Sequence, residues 1–165
     1  MSGPVPVDQR YFEDYPVGCV FESEPIVVEE SEMIAFAKRY DPQYFHTDPE
    51  AAARGVYGGL IASGWHTAAM TMRRLVESYL SSVASLGSPG IDELRWIRPV
   101  RPGDRLNVRV VVLEARRSHS RPERGIIHSR IEVSNQRGEL VMSLKAINFM
   151  LCREPTRGAG EAAAV

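Results

Sequence analysis

The spacing of apolar residues changes along the chain, from three or four in the middle to two in the second half. After Gly64, apolar residues recur at helical spacing from Ala68 to Val83, which predicts one long helix ended by the segment LGSPG. From Ile91 onward the period is two, and four strands are predicted, at 91–100, 104–117, 124–134 and 139–152. Because the connections are short, we expect these strands to be antiparallel neighbours.

The first half of the chain predicts shorter elements. The β-rich segment CVFESEPIVVEE (19–30) is interrupted by Pro25, which indicates a strand or a bent pair of strands. Ser31 is expected to cap a helix that ends near Asp41, since Pro42 disfavours helical geometry in the residue before it. A second short helix is predicted at 48–55, with Asp48 as its cap.

This order of elements predicts an α+β fold in which an antiparallel sheet wraps around the long helix. One helix covers one face only, and the third and fourth strands carry apolar residues on both faces. We therefore expect a second copy of the chain to cover the other face or an edge, giving a homodimer or a higher homo-oligomer. The expected organisation is a flexible N-terminus at 1–10, a single domain at 11–152 and a disordered C-terminal tail at 153–165.

Composition narrows the functional classes. The 165 residues include 20 basic and 21 acidic ones, so the net charge of −1 gives no support to nucleic-acid binding. Arginines are concentrated at 95–109 and 114–124, which fits either the solvated face of a β-hairpin or a basic rim that attracts a phosphorylated ligand. No apolar run is long enough to span a bilayer, and the two cysteines are far apart in sequence. The expected location is the cytoplasm, with no membrane partner.

The segment YDPQYFHTDP (40–49) is the first candidate for chemistry. Asp41 and His46 stand five residues apart in a predicted irregular segment, and Tyr44 and Phe45 lie between them. An Asp-Pro turn is common punctuation, because an aspartate can bond nearby backbone amides. The alternative is an acid/base pair whose flanking aromatic residues exclude water and tune the pKa values of the two groups.

The second candidate is the start of the long helix in GGLIASGWHT (58–67). The backbone N–H groups at a helix start are unpaired, and such groups can bind a phosphate or polarise a carbonyl oxygen. In the simpler interpretation, Ser63 caps the helix and Gly64 permits close packing. The set His46, Asp48 and His66 has no specific metal-ligand spacing, and the chain has no P-loop or dinucleotide fingerprint. No metal or cofactor is expected.

These residues together resemble a known family. The stretch AFAKRYDPQYFHTDPEAAARGVYGGLIASGWHTAAM is similar to the signature region of the MaoC-like dehydratases, the (R)-specific enoyl-CoA hydratase group of hotdog-fold proteins. The block LRWIRPVRPGDRLNVRVVVLEARRS is similar to the family's second block, a strand, a Pro-Val-x-x-Gly-Asp turn and a long strand. The resemblance covers residues 12–150. It implies a hotdog fold and a hydro-lyase that adds water to, or removes it from, an acyl thioester.

The resemblance also implies roles for individual residues. Asp41 and His46 fall on the paired catalytic positions, and Gly64 falls on the glycine whose N–H forms the oxyanion hole. Asp41 would activate water and His46 would deliver a proton to the carbon next to the thioester carbonyl. The neighbouring candidates for substrate binding are Tyr44, Phe45, Ser63 and Trp65. The chain departs from the family pattern at Tyr40, Gln43, Tyr44 and Ser63, where the usual residues are glycine, asparagine, proline and histidine.

Three functions remain open on the sequence. The first is an enoyl-CoA hydratase or 3-hydroxyacyl-CoA dehydratase that uses Asp41 and His46. The second is an acyl-CoA thioesterase, which would use the same oxyanion site and an available carboxylate. The third is a non-catalytic protein that binds an acyl-CoA or acyl-carrier thioester.

Overall fold

The computed structural model describes residues 5–154. A short 3-10 helix at Phe12–Asp14 precedes two short strands, β1 (Val20–Glu22) and β2 (Ile26–Val27). Four helices follow: α1 (Glu30–Tyr40), α2 (Tyr44–Thr47), α3 (Pro49–Arg54) and α4 (Gly64–Ser78). The chain ends with four strands: β3 (Gly90–Trp96), β4 (Arg105–Arg117), β5 (Arg124–Ser134) and β6 (Leu140–Leu151). The α+β fold expected from the sequence is confirmed.

One antiparallel sheet forms the body of the molecule, with the strands in the order β1-β4-β5-β6-β3 and with β2 also paired to β4. Alternate residues of the long strands are buried against the helices, as the period of two requires. These residues meet Leu75 and Tyr79 from the helical side in a single hydrophobic core. The other face of the sheet is only partly covered, since Ile126 and His128 are half-buried and Arg130 is exposed.

Capping residues, prolines and a glycine in the sequence predicted where the short helices lie. Helix α3 begins with Pro49 and is capped by the Asp48 side chain, which accepts a bond from the Ala51 N–H, and Gly55 ends it. Helix α1 ends before Pro42 as expected, but the prediction that Ser31 caps it is wrong, because the helix begins at Glu30, two residues before the start that a Ser31 cap would give. Residues 44–47, expected to be irregular, form the single turn of α2.

The long helix is shorter than its apolar period suggests. Helix α4 ends at Ser78, so the predicted helical positions Tyr79 and Val83 lie outside it. The guanidinium of Arg10 is buried here and donates to the carbonyl oxygens of Ser78 (3.1 Å) and Tyr79 (2.9 Å). These carbonyls at the helix end have no partner within the helix, and Arg10 therefore stabilises the termination.

Strand β3 lies at a different place in the sheet from the one expected. It pairs with β6 at the far edge, not with its sequence neighbour β4. The connection between β3 and β4 instead passes beside the segment that precedes α4, where the Val100 carbonyl accepts a bond from the Ala62 N–H (2.8 Å). This detour places residues 97–100 against the start of α4.

The two ends of the chain are described only in part. The expected flexible N-terminus, 1–10, is described from residue 5, and the side chain of Arg10 donates to the carbonyl of Val5 (Nε–O distance 2.8 Å). Of the expected C-terminal tail, 153–165, only residues 153 and 154 lie within the described part.

Candidate active site

The end of α1 and the turn of α2 bring Asp41 and His46 together. Pro42 ends the first helix, and the next turn directs the His46 ring back toward the aspartate. His46 Nε2 lies 3.3 Å from Asp41 Oδ2. The imidazole is buried, whereas the carboxylate side chain is 20% exposed, so the pair faces solvent through its acidic member.

The other ring nitrogen fixes the tautomer of His46. His46 Nδ1 lies 2.7 Å from the carbonyl oxygen of Ile61, in the segment that leads into α4. A carbonyl oxygen can only accept, so Nδ1 carries a proton, and Nε2 is the ring nitrogen directed toward Asp41. Nε2 and Asp41 Oδ2 therefore lie within ion-pair distance of each other.

Asp41 is held by two donors of its own. The Ser63 hydroxyl donates to Asp41 Oδ2 (2.7 Å), and the Gln43 amide donates to Oδ1 (2.8 Å). The Ser63 bond is the largest influence that lowers the pKa of Asp41 below its usual value; burial opposes it, and Gln43 and His46 act in the same direction as Ser63. Asp41 is therefore ionised at neutral pH.

Ser63 stands at the N-cap position of α4, but its side chain does not cap the helix. The hydroxyl is fully buried and is used on Asp41 instead. The first backbone bond of the helix joins the Thr67 N–H to the Ser63 carbonyl (3.0 Å), so the N–H groups of the first turn have no partner within the helix. They point toward the helix start, where the dipole favours negative charge.

A cavity of about 360 Å³ lies at this helix start. Both Gly64 and His46 line it, which brings the expected oxyanion donor and one member of the pair to the same space. Its walls are mostly apolar, and they come from α2, the segment before α4, α4 itself, the end of β3 with the segment after it, and β6. The remaining lining residues are Phe45, Tyr57, Ile61, Ala62, Thr67, Trp96, Ile97, Arg98, Pro99, Val100 and Val141.

The other residues predicted from the sequence fall in different places. Phe45 lines the cavity, whereas Tyr44 and Trp65 do not. The Tyr44 ring packs on the backbone at Gly55, where a Cβ would lie 2.8 Å from the tyrosine oxygen. Trp65 is 57% exposed and meets the ring of Trp96 edge to face, with 5.1 Å between the centroids.

The sequence reasoning did not single out Trp96, Ile97 or Tyr57 as site residues. Both Trp96 and Ile97 belong to a predicted strand. Trp96 pairs with Met142 of β6 and the Ile97 N–H donates to the Val141 carbonyl (2.8 Å), which brings both residues to the cavity. Of the arginines at 95–109, Arg98 lines the cavity and lies 3.9 Å from Glu139, while Arg101 donates to the Tyr57 carbonyl (2.7 Å). The arginines at 114–124 belong to the end of β4, the turn into β5 and the first residue of β5.

His66 belongs to the core beside the site. Its ring stacks on Phe36 with 4.9 Å between the centroids, and burial lowers the pKa of His66 while Glu32 acts in the opposite direction. Across residues 5–154 the structure shows no group of three metal-ligating side chains, and no helix there is both long and apolar enough to cross a membrane.

Comparison with known proteins identifies the family of this chain. Residues 15–133 match the MaoC like domain family. The solved structure of the MaoC-like dehydratase from Rhodospirillum rubrum superimposes with a TM-score of 0.81 at 44% identity, covering 88% of this chain and 99% of that one.

Two curated proteins extend the comparison. The uncharacterised protein YdeM of Bacillus subtilis is 30% identical over 139 residues, which make up 81% of this chain and 97% of that protein. The 3-hydroxyacyl-thioester dehydratase Z of Mycobacterium tuberculosis is 33% identical over 89 residues, which make up 53% of this chain and 59% of that protein. Solved MaoC-like dehydratases and (R)-hydratases share the hotdog fold of this chain. The chain therefore belongs to the family of MaoC-like dehydratase domains.

Proposed function

We propose that the protein adds water to a trans-2-enoyl thioester, or removes it from the 3-hydroxyacyl thioester, with coenzyme A as the carrier. The observation that carries this proposal is the pair Asp41 and His46, whose Oδ2 and Nε2 atoms lie 3.3 Å apart beside the cavity at Gly64. The family, and a relative named as a 3-hydroxyacyl-thioester dehydratase, support the class of reaction and substrate.

When the His46 ring is neutral, a water molecule beside the pair can donate one hydrogen to Asp41 Oδ2 and the other to His46 Nε2. The donors around Asp41 favour a division of roles in which His46 is the base. The bond from Ser63 lowers the pKa of Asp41 and so weakens it as a proton acceptor, whereas His46 Nε2 is an imidazole lone pair. Asp41 then orients the water and stabilises the imidazolium that forms. This division of roles differs from the one that the family resemblance implies, in which Asp41 activates the water.

The reaction balances within this site. His46 Nε2 takes one proton of the water as the water oxygen bonds to C3 of the enoyl group. The electrons of the C2–C3 double bond move toward the thioester carbonyl, which becomes enolate-like. The imidazolium then returns the proton to C2, and the pair is restored. Acid–base assistance of this kind contributes roughly 10²–10⁴-fold to the rate.

The start of α4 stabilises the charge that develops on the thioester oxygen. The Gly64 N–H belongs to the unpaired first turn, and Gly64 lines the cavity together with His46. A preorganised donor of this kind contributes about 2.7–4 kcal/mol to the transition state. Tyr57, Phe45 and Ile61 would surround the acyl group, and Arg98 at the cavity wall would meet an anionic part of the carrier.

A thioesterase is the second candidate, because its reaction uses the same oxyanion donors and a carboxylate. The proposal is tested by incubating the protein with trans-2-butenoyl-CoA while following the enoyl absorbance and the release of free thiol in the same sample. Loss of absorbance without thiol release is expected. Thiol release with the absorbance unchanged would favour the thioesterase, and ligand-dependent stabilisation without either change would favour a binding protein.

A further inference from the structure

Trp96 occupies the space in which any side chain at position 64 would lie. A Cβ built on Gly64 would come within 2.4 Å of the indole atom Cε2 and 2.7 Å of Nε1, distances that real Cβ atoms do not adopt. The indole therefore packs directly on the first residue of α4. Because Trp96 also lines the cavity, it forms the wall next to the Gly64 N–H.

A bulge in β3 brings this tryptophan to the cavity side of the sheet. Asp92 stands opposite Lys145 and Arg95 stands opposite Ser143, so β3 has one residue more than β6 in this interval. Within the interval Glu93 adopts a left-handed backbone, with a φ of 53°, and pairs with Lys145 at 2.8 Å. A left-handed conformation is uncommon for a residue other than glycine.

The extra residue decides which side chain faces the helix. Trp96 stands opposite Met142, which is fully buried, so the two share the inner face of the sheet. Without the extra residue, Arg95 would stand opposite Met142, since a shift of one residue exchanges the two faces of a strand. The bulge therefore makes this wall of the cavity aromatic rather than cationic.

The position of the indole limits what can approach the oxyanion donor. When a thioester oxygen accepts the Gly64 N–H, the carbonyl carbon and the two atoms bonded to it, C2 and sulfur, lie in the cavity that Gly64 and Trp96 both line. The Trp96 indole packs on Gly64 and is therefore the wall next to these atoms. A methyl branch at C2 adds volume next to the Trp96 indole, which meets the ring of Trp65 edge to face. Forcing extra carbon atoms into such a space is unfavourable.

We propose that Trp96 is a specificity-determining residue that makes the site select acyl thioesters unbranched at C2. The proposal rests on the function proposed above, because it places the thioester oxygen at Gly64. One methyl group in an apolar pocket changes discrimination by about 10–200-fold. We expect the protein to bind butanoyl-CoA at least about tenfold more tightly than 2-methylpropanoyl-CoA.

The experiment compares the dissociation constants of these two saturated thioesters by calorimetry for the wild type, Trp96→Leu and Tyr11→Leu. The Trp96 variant is expected to reduce the ratio of the two constants by about tenfold, mainly through a gain for the branched ligand. Tyr11→Leu is the matched control, an aromatic-to-leucine change outside the cavity lining, and it should keep the wild-type ratio. If Trp96→Leu does not fold, Trp96→Phe is expected to shift the ratio in the same direction by a smaller factor.

The proposal would be overturned if the wild type and Trp96→Leu had the same ratio of dissociation constants, or if Trp96→Leu and Tyr11→Leu changed that ratio equally. A wild type that binds neither thioester would also overturn it. The binding ratio does not depend on turnover. A wild type that prefers butanoyl-CoA but fails to hydrate trans-2-butenoyl-CoA would disprove the proposed reaction and leave the role of Trp96 supported. Normal hydration with an unaltered ratio would disprove only the role of Trp96.

Discussion

The Ser63 hydroxyl donates to Asp41 Oδ2 at 2.7 Å and so joins the end of α1 to the residue before α4. The bond connects the acid/base pair to the helix whose first N–H groups bind the oxyanion in the proposed mechanism. A buried serine at an N-cap position usually bonds the helix backbone. Here it is used to hold the carboxylate, and the first turn of the helix is left free for a ligand.

Replacing Ser63 by alanine should change the stability of the fold in a pH-dependent way. The pKa of Asp41 is lowered in the folded state, so its ionisation stabilises the fold above the usual pKa of 3.8, and this contribution is lost as the pH falls. Ser63→Ala removes the largest cause of the shift. We expect the variant to be less stable at neutral pH by about 1.5–3 kcal/mol, the usual contribution of a hydrogen bond to a charged group.

Urea unfolding of both proteins at neutral pH and below pH 3.8 measures this difference. The difference in the free energy of unfolding between the wild type and Ser63→Ala should become smaller in acid. The pKa of Asp41, followed by carboxyl NMR, should rise in the variant. Gln43→Ala removes a weaker influence and should raise the pKa by less. A gap in stability that stays constant over this range would show that the Ser63 bond does not act through the ionised carboxylate.

Gly64→Ala should destabilise the protein even though alanine favours a helix. The added Cβ meets the Trp96 indole, and overpacking of this kind costs about 1–3 kcal/mol. Chemical unfolding of Gly64→Ala, Trp96→Leu and the double variant measures the coupling between the two positions. The double variant should lose less stability than the sum of the single variants.

Gly90→Ala is the matched control for this series, since a Cβ at Gly90 meets no atom within 4 Å. Its free energy of unfolding should stay within about 0.5 kcal/mol of the wild type. Strict additivity of the Gly64 and Trp96 changes would contradict the close packing of the indole on the helix start.

Strand β3 is the edge at which we expect a second copy of the chain to bind. Six of its seven residues are exposed, including Ile91 at 48% and Trp96 at 45%, and the described part of the chain offers no strand to its outer side. An uncovered edge of this kind favours pairing with another strand. Sedimentation equilibrium at micromolar concentration should give a dimer or a larger homo-oligomer.

Ile91→Lys should shift that equilibrium toward the monomer, because a lysine on an edge strand opposes pairing. Val17→Lys places the same charge at another exposed apolar position, 62% exposed and outside the sheet, and should leave the assembly unchanged. A wild-type monomer under these conditions would contradict the prediction.

The members of the pair should behave as one unit in kinetics. If His46 takes the proton while Asp41 orients the water and stabilises the imidazolium, replacing either residue disables the same step. We expect Asp41→Asn and His46→Gln each to lower kcat by roughly 10²–10⁴-fold. The kcat of the double variant should be little lower than that of the less active single variant, as for other catalytic residues that act together. Multiplicative effects would indicate that the two residues act in separate steps.

Local chemistry explains what the sequence could predict. The bounds of α3 follow from a capping aspartate, an adjacent proline and a glycine stop, all within eight residues. The end of α4 depends on Arg10, which is 68 residues from Ser78 in sequence, and no periodicity in the helix reports such a contact. The place of β3 was missed for the same reason, because pairing with β6 is a long-range choice.

For the site, too, local features could be predicted from the sequence and long-range contacts could not. The proximity of Asp41 and His46 could be predicted because a proline turn confines them to six residues. The hydrogen bond from Ser63 to Asp41 could not be predicted, because a serine hydroxyl can bond either the helix backbone or a carboxylate. Only the fold brings the Asp41 carboxylate within 2.7 Å of this hydroxyl. The cavity wall at Trp96 depends on one extra residue in β3, and a strict alternation would have placed Arg95 there.

The central claim is that the pair at Asp41 and His46 hydrates an enoyl thioester. The most direct test is the rate of loss of enoyl absorbance with trans-2-butenoyl-CoA for the wild type and for Asp41→Asn, whose amide keeps the shape of the carboxylate. We predict that the variant keeps its circular dichroism spectrum and cooperative unfolding while kcat/KM falls by roughly 10²–10⁴-fold. A folded Asp41→Asn variant that hydrates the substrate at nearly the wild-type rate would contradict the claim.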